Sequence, residues 1–357
     1  MRHALELAER GRGHTAPNPV VGAVLVRGAR VVGEGWHRAL GERHAEVEAL
    51  ERAGAAARGA TLYVTLEPCV HWGRTPPCVD ALLAAGVARC VVAQRDPDPR
   101  VNGRGLRRLR AAGVRVELGL LAAEAGEQLA AYRRAQATGR PRVTWKVASS
   151  LDGRITDARG RSQWITGPEA RADGHRLRAA SDAIVVGAGT ARADDPQLTA
   201  RTGAPGAQPL RVIVDSRLSL PHGLRVFARP LARGTVVACT AAAPAARERA
   251  LAARGVTVWR LPATRLRVSL PALAERLARE GRHEVLLEGG GTLGASFVRA
   301  GLVHRVVLYV APLVLGGGLP WCDGLSLPLD QAARGRVVSA TLVGGDARLV
   351  VELGSGG

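Results

Sequence analysis

Apolar and polar positions along the chain fall into alternating strand-like and helix-like blocks. Short runs rich in Val, Leu and Ile predict strands over 20–26, 31–35, 61–66, 90–93 and 114–118. The first two are joined by Arg27-Gly28-Ala29-Arg30, a hairpin signal. Helical patterning appears around Leu5, Leu7 and Ala8, over the Ala/Glu-rich 45–57, and over 80–85, 105–112 and 122–137. The stretch Ala137-Thr138-Gly139-Arg140-Pro141 breaks the alternation and reads as a linker. A second alternation follows, with strands at 143–148, 183–187, 211–214, 235–238, 256–260, 285–288, 306–310 and 349–353. Its helices are expected over 169–180, 273–279 and 293–299. Strands alternating with helices imply an α/β layer fold. A length of 357 residues favours two domains, which the linker places at 1–139 and 140–357.

Composition narrows the class. Hydrophobic residues make up 46% and charged residues 23%, the mix of a folded chain rather than a disordered one. The longest uncharged apolar stretch, 306–322, holds two prolines and three adjacent glycines, so no membrane span is expected. The first thirteen residues lack an apolar signal core, and five scattered cysteines argue against a disulfide framework. A reducing cytoplasm is the expected location. A homo-oligomer is compatible with all of this. The net charge of +19 invites a nucleic-acid reading. However, Lys146 is the sole lysine among 50 Lys and Arg, and no arginine block stands apart as a tail. An arginine-biased surface explains the excess, and no nucleic-acid partner is expected.

His44-Ala45-Glu46 opens the Ala/Glu helix, Pro68-Cys69 ends a strand, and Cys78 follows Pro76-Pro77. One imidazole and two thiolates make a three-ligand Zn²⁺ site with a fourth position for water. Glu46 is then free to move protons rather than ligate. This is the chemistry of hydrolytic deamination, and it matches H-x-E…P-C-x-x-C except that eight residues separate the cysteines instead of two. The same three ligands could hold a structural zinc.

The string Thr65-Leu66-Glu67-Pro68-Cys69-Val70-His71-Trp72-Gly73-Arg74-Thr75-Pro76-Pro77-Cys78 resembles the RibD family, the bifunctional deaminase/reductases of riboflavin biosynthesis. So do Ala16-Pro17-Asn18-Pro19-Val20-Val21-Gly22 and Gly33-Glu34-Gly35-Trp36-His37. Val70 stands where the family usually has Ser. The resemblance implies a three-layer α/β/α cytidine-deaminase-like domain, with Glu46 as acid/base. Asn18, His37, His71 and Arg74 would contact a pyrimidine carrying a ribose phosphate.

In the second half, Gly289-Gly290-Gly291-Thr292-Leu293-Gly294 follows an apolar strand and opens a helix. Such a turn can cradle a pyrophosphate. No Asp or Glu occurs from Gly289 to Cys322, which argues against a standard NAD fold and fits the 2′-phosphate of NADP. Trp145-Lys146-Val147-Ala148-Ser149-Ser150-Leu151-Asp152-Gly153-Arg154-Ile155, Ser162-Gln163-Trp164-Ile165-Thr166-Gly167 and Val214-Asp215-Ser216 resemble the RibD reductase domain, which is dihydrofolate-reductase-like. By that resemblance Ala148, Trp164, Thr190, Asp194, Ser216, Gly290, Gly291, Thr292, Leu293, Gly294, Ala295 and Ser296 would bind NADPH. Ser162, Arg178, Leu198, Arg201 and Glu288 would bind the phosphorylated substrate, with Asp194 near the reacting carbon. His304-Arg305 stands where the family commonly has Asp-Glu. In a chain that writes Arg almost everywhere, the one Lys146 is expected to matter near the site or in packing.

Overall fold

In this computed structural model, residues 1–202 and 208–354 are described. The chain divides into two compact units, Met1–Gly139 and Arg140–Gly357.

The first unit holds strands β1 (Gly22–Arg27), β2 (Arg30–Trp36), β3 (Thr61–Leu66), β4 (Arg89–Gln94) and β5 (Arg115–Leu118). They pair in the order β2-β1-β3-β4-β5, with β1 and β2 forming the expected hairpin and β3, β4 and β5 running parallel. Its helices are α1 (Arg2–Glu9), α2 (Ala45–Ala53), α3 (Cys78–Ala84), α4 (Arg104–Ala111), α5 (Ala122–Gln128) and α6 (Ala130–Thr138). Alternate strand residues face opposite ways, and each face has its own cover. Ala23, Leu25, Leu62, Val64 and Val92 pack against Ala45 and Ala49 of α2, Leu82 of α3 and Leu109 of α4. On the other face Val24 meets Ala4 and Leu7, while Leu66 meets Ala8, Leu129 and Tyr132. This is a three-layer α/β/α sandwich. The helix expected over 122–137 is broken at Leu129, which leaves the helical region and buries its side chain in that second face.

Close approach positions α2. A Cβ on Gly35 would lie 2.4 Å from the Ala45 carbonyl oxygen, so only glycine lets the start of α2 sit flush on β2.

The second unit is built on strands β6 (Arg142–Ser150), β7 (Ala183–Gly187), β8 (Leu210–Val214), β9 (Thr235–Cys239), β10 (Thr257–Arg260), β11 (Ala263–Thr264), β12 (Arg267–Val268), β13 (Glu284–Glu288), β14 (Arg305–Ala311), β15 (Gly335–Val343) and β16 (Asp346–Leu353). Its main sheet runs β10-β9-β8-β7-β13-β6-β14-β16-β15. The strands from β10 to β14 pair in parallel, and β16 and β15 add an antiparallel hairpin at the edge. Helices α7 (Pro168–Ala179), α8 (Ala188–Asp194), α9 (Ala245–Ala252), α10 (Leu270–Arg279) and α11 (Gly291–Arg299) cover it. Leu273 and Leu277 of α10 and Phe297 of α11 pack on Trp145, Val185 and Leu287, while Ala191 of α8 and Leu251 of α9 pack on Ile184, Ile213 and Val237 opposite.

The sequence pattern did not predict α8, α9, β11, β12 or β15. The edge strand β15 exposes Val337 and Leu342 as well as its polar residues, so no in–out alternation marks it. Arg305 joins Arg142 and Arg336 on the single carboxylate of Glu352, so the arginine departure at that position makes an ion pair. Among the described residues, no helix is long and apolar enough to cross a membrane.

Candidate active sites

The first site gathers where two helices begin. His44 is the N-cap of α2 and Glu46 is its second residue; Cys78 is the first residue of α3. Cys69 follows β3, and its Sγ accepts the Cys78 N–H at 3.3 Å. The ligand atoms of His44, Cys69 and Cys78 lie within 4.8 Å of one another. His44 Nδ1 is 3.2 Å from Cys78 Sγ and 3.7 Å from Cys69 Sγ, so this nitrogen faces both sulfurs. Cys69 is pulled down to about 4, chiefly by its hydrogen bond with Cys78 and further by His44. Cys78 is pushed up by sharing that hydrogen bond and by burial. Glu46 is buried, and loss of water pushes its carboxyl above the usual range. One imidazole and two sulfurs, that of Cys69 favoured as thiolate, fit a tetrahedral zinc ion with one open position.

Two other sequence-predicted residues join this cluster. His37 is buried, its ring centroid 5.2 Å from that of His44. Its Nδ1–H donates to the Arg43 carbonyl at 3.0 Å, leaving Nε2 to accept from the Asn18 amide at 3.2 Å. Burial holds the His37 imidazole below its usual range, so it is neutral. His71 and Arg74 lie on the loop between the cysteines, where Arg74 is exposed. Beneath the turn, buried Glu67 accepts from the backbone N–H groups of Asp96, Gly103 and Leu106, fastening the Pro68-Cys69 corner to the start of α4. Glu67 carries no assignment from the sequence, although its place directly before Pro68-Cys69 is a visible cue.

The second site lies at the carboxyl ends of β13, β6 and β7. Gly290 N–H donates to Thr190 Oγ1 at 2.9 Å, so α8 is tied to the glycine turn. Gly289 sits at φ +89, and a Cβ there would meet Thr190 Oγ1 at 2.6 Å. Ser162 Oγ donates to Asp194 Oδ1 at 2.9 Å. Trp164 is 68% exposed, with the Arg171 guanidinium over its ring at 4.7 Å. Ser216 Oγ accepts from Val268 N–H at 3.0 Å, and Ala148 lies on β6 opposite Tyr309.

Arg178 and Glu288 form a two-pronged pair at 2.8 and 2.6 Å. Burial pushes the Glu288 carboxyl up, but Arg178 outweighs it and the net shift is downward. Arg178 Nε and Nη2 both donate to this carboxylate, and Nη1 donates to the Thr199 carbonyl at 3.1 Å. Arg201 instead meets His175, one turn from Arg178 on α7, at 3.1 Å, and Leu198 is buried. His175 had drawn no assignment from the sequence. Lys146 is paired in register with Glu288 across β6 and β13, and its Nζ lies 5.8 Å from the Tyr309 ring centroid. Burial lowers its pKa, opposed by Glu288.

One residue changes the picture of the glycine turn. Asp323 lies just past the acid-free window of the sequence, and the loop brings its carboxylate back to accept from Thr292 Oγ1 at 3.1 Å. The turn therefore has an acid beside it, supplied from far along the chain.

Residues 1–94 match the cytidine and deoxycytidylate deaminase zinc-binding region, and residues 141–347 match the RibD C-terminal domain. The chain belongs to the RibD family. It is 43% identical to the riboflavin biosynthesis protein RibD of Chlamydia muridarum, covering 99% of this chain and 95% of that one. Against RibD of Escherichia coli the identity is 42%, with 92% of each chain covered. Among solved structures, Acinetobacter baumannii RibD superposes with a TM-score of 0.91 at 39% identity, covering 99% of this chain and 97% of that one. The Thermotoga maritima diaminohydroxyphosphoribosylaminopyrimidine deaminase/5-amino-6-(5-phosphoribosylamino)uracil reductase gives a TM-score of 0.88 at 34% identity, with the same coverage.

Proposed function

We propose that this RibD-family enzyme carries out two consecutive steps of riboflavin synthesis, with the deaminase in residues 1–139 and the reductase in 140–357. The observation that carries the first step is buried Glu46 two residues from His44, inside the His44/Cys69/Cys78 cluster. The substrate is a 2,5-diamino-6-(5-phosphoribosylamino)pyrimidin-4-one. Its C2–N bond breaks, a water oxygen takes the place of the nitrogen, and ammonia leaves. His44, Cys69 and Cys78 would hold a zinc ion, which would supply a lowered water pKa near neutrality. Glu46 takes the water's proton and delivers it to the departing amine, and its raised pKa suits it to hold that proton. Asn18 and neutral His37 present fixed polar atoms to the pyrimidine, and His71 and Arg74 face its ribose phosphate.

The second step reduces the ribosyl group to a ribityl chain. The glycine turn would hold NADPH, which would supply the hydride that reduces C1′ of the ring-opened sugar. Gly290, Gly291, Thr292, Leu293, Gly294, Ala295 and Ser296 form the start of α11, whose N–H groups suit a phosphate. Ala148, Trp164, Thr190 and Ser216 line the remainder of the cofactor's path. Ser162 fixes the Asp194 carboxylate beside the reacting carbon, and Arg178, Leu198, Arg201 and Glu288 receive the substrate. The enzyme works in the cytoplasm on small phosphorylated molecules. Its excess positive charge steers these anions rather than gripping nucleic acid.

Glu46→Gln should lower ammonia release by roughly 10²–10⁴-fold, the range for general acid–base groups. NADPH oxidation on the deaminated substrate should persist in the same protein. Ammonia release at the wild-type rate would refute the assignment of Glu46.

A further inference from the structure

The His44 imidazole has two nitrogens, and the structure gives them different neighbours. Nδ1 faces both sulfurs, at 3.2 and 3.7 Å. Nε2 points the other way, and Thr75 Oγ1 lies 3.4 Å from it. A neutral imidazole that offers its Nδ1 lone pair to a metal carries its proton on Nε2. That N–H then needs an acceptor, because the partner of the far nitrogen fixes both the tautomer and the plane of the ring.

We infer that Thr75 is a positioning residue for the zinc ligand: its hydroxyl accepts the Nε2–H of His44 and holds Nδ1 towards the two sulfurs. This rests on the metal reading above and deepens it. It also gives a physical use to the lengthened cysteine spacing. With two residues between the cysteines, the chain turns directly from one ligand to the other. Here eight residues intervene, and they arch far enough to bring a hydroxyl to the outer edge of the histidine. Two devices steady the arch. Gly73 N–H donates to the Thr75 carbonyl at 3.2 Å, closing a tight turn. Pro76 and Pro77 then link Thr75 to Cys78 through two backbone units of restricted φ. Thr75 is thus tied to one ligand through the backbone and to another through a hydrogen bond. The same loop carries His71 and Arg74, so the segment that orients the metal ligand also presents the substrate contacts.

The test compares full-length wild type, Thr75→Ser, Thr75→Val and Thr75→Ala. Zinc affinity is measured by competition with a chromophoric chelator, and the visible spectrum is recorded after Co²⁺ substitution. Partners of this kind typically contribute about 10–100-fold in metal affinity. Thr75→Val and Thr75→Ala should therefore bind zinc about 10–100-fold more weakly and change the Co²⁺ band positions or intensities, while Thr75→Ser stays within about threefold of wild type. Far-ultraviolet circular dichroism and the thermal unfolding transition of each variant report folding of the first unit, and Thr75→Ala serves if Thr75→Val fails to fold. Wild-type affinity and spectrum in Thr75→Val or Thr75→Ala would overturn the proposal. So would a Thr75→Ser that falls as far as Thr75→Val, since then the hydroxyl is not what matters. A wild-type chain that binds no zinc would overturn the metal reading itself, a result distinct from either of these.

Discussion

Lys146 shows how much one side chain's surroundings decide. Its ammonium lies beside Glu288, Arg178 and the Tyr309 ring. On its remaining side is Gly174 of α7, where a Cβ would come within 3.6 Å of Lys146 Cε. Arg178 already occupies both oxygens of Glu288. A compact ammonium fits this enclosure, whereas a planar guanidinium with five donors would have to displace Arg178. Lys146→Arg should reduce NADPH oxidation by roughly 10–100-fold through misplaced substrate contacts, with ammonia release unaffected. An exposed Arg→Lys change elsewhere should cost far less, and equal effects would remove any special status from Lys146. Lys146 could be singled out from composition alone. Its partners could not, because Arg178, Glu288 and Tyr309 come from separate elements that only the sheet brings together.

At the scale of elements, the glycine turn and α11 illustrate both close packing and occlusion. Gly294 rests on Trp145, whose ring would lie 1.9 Å from any Cβ at that position. The start of α11 is thereby set deep against β6. The loop before β15 then wraps this helix, with Arg299 Nη2 donating to the Gly324 carbonyl and Thr292 donating to Asp323. A carboxylate at a helix N-terminus is favoured by the dipole, typically by 0.3–1 kcal/mol, and it repels a phosphate arriving at the same place. Asp323→Asn should therefore tighten NADPH binding by about two- to fivefold, measured by titration of the enzyme's fluorescence. Weaker binding in the variant would mean that Asp323 holds the cofactor instead. The sequence pattern located α11 because apolar residues recur along it. It missed α8, which carries Thr190 and Asp194, because Ala-Gly-Thr-Ala-Arg-Ala-Asp has almost no apolar stripe and buries only Ala191.

The whole molecule carries a net charge of +19, yet it also buries carboxylates, Glu46, Glu67, Asp96 and Glu288 among them. In the first unit, Asp96 accepts from the Tyr132 hydroxyl and the Asp98 N–H, and burial pushes it up to about 6. Its ordinary value is about 3.9. Between those two values the folded chain keeps a proton that the unfolded chain has released. Stability attached to Asp96 is therefore greatest at low pH, falls as pH rises through that window, and is level above it, a total change of about 3 kcal/mol. Asp96→Asn removes this slope. Denaturant titrations should show the variant gaining on wild type from about pH 4 to about pH 6.5. A constant difference across that range would refute the assignment. Most strands and helices, and the His44, Cys69 and Cys78 cluster, were legible in the sequence, since periodicity and short motifs are local properties. It named His44, Cys69, Cys78 and Glu46 because metal chemistry restricts the choice of ligands. Tertiary structure alone decided which nitrogen of His44 faces the sulfurs, that Arg178 answers to Glu288, and that Asp323 returns to the glycine turn. Those pairings depend on how separate strands and loops converge, and no local pattern encodes that distance.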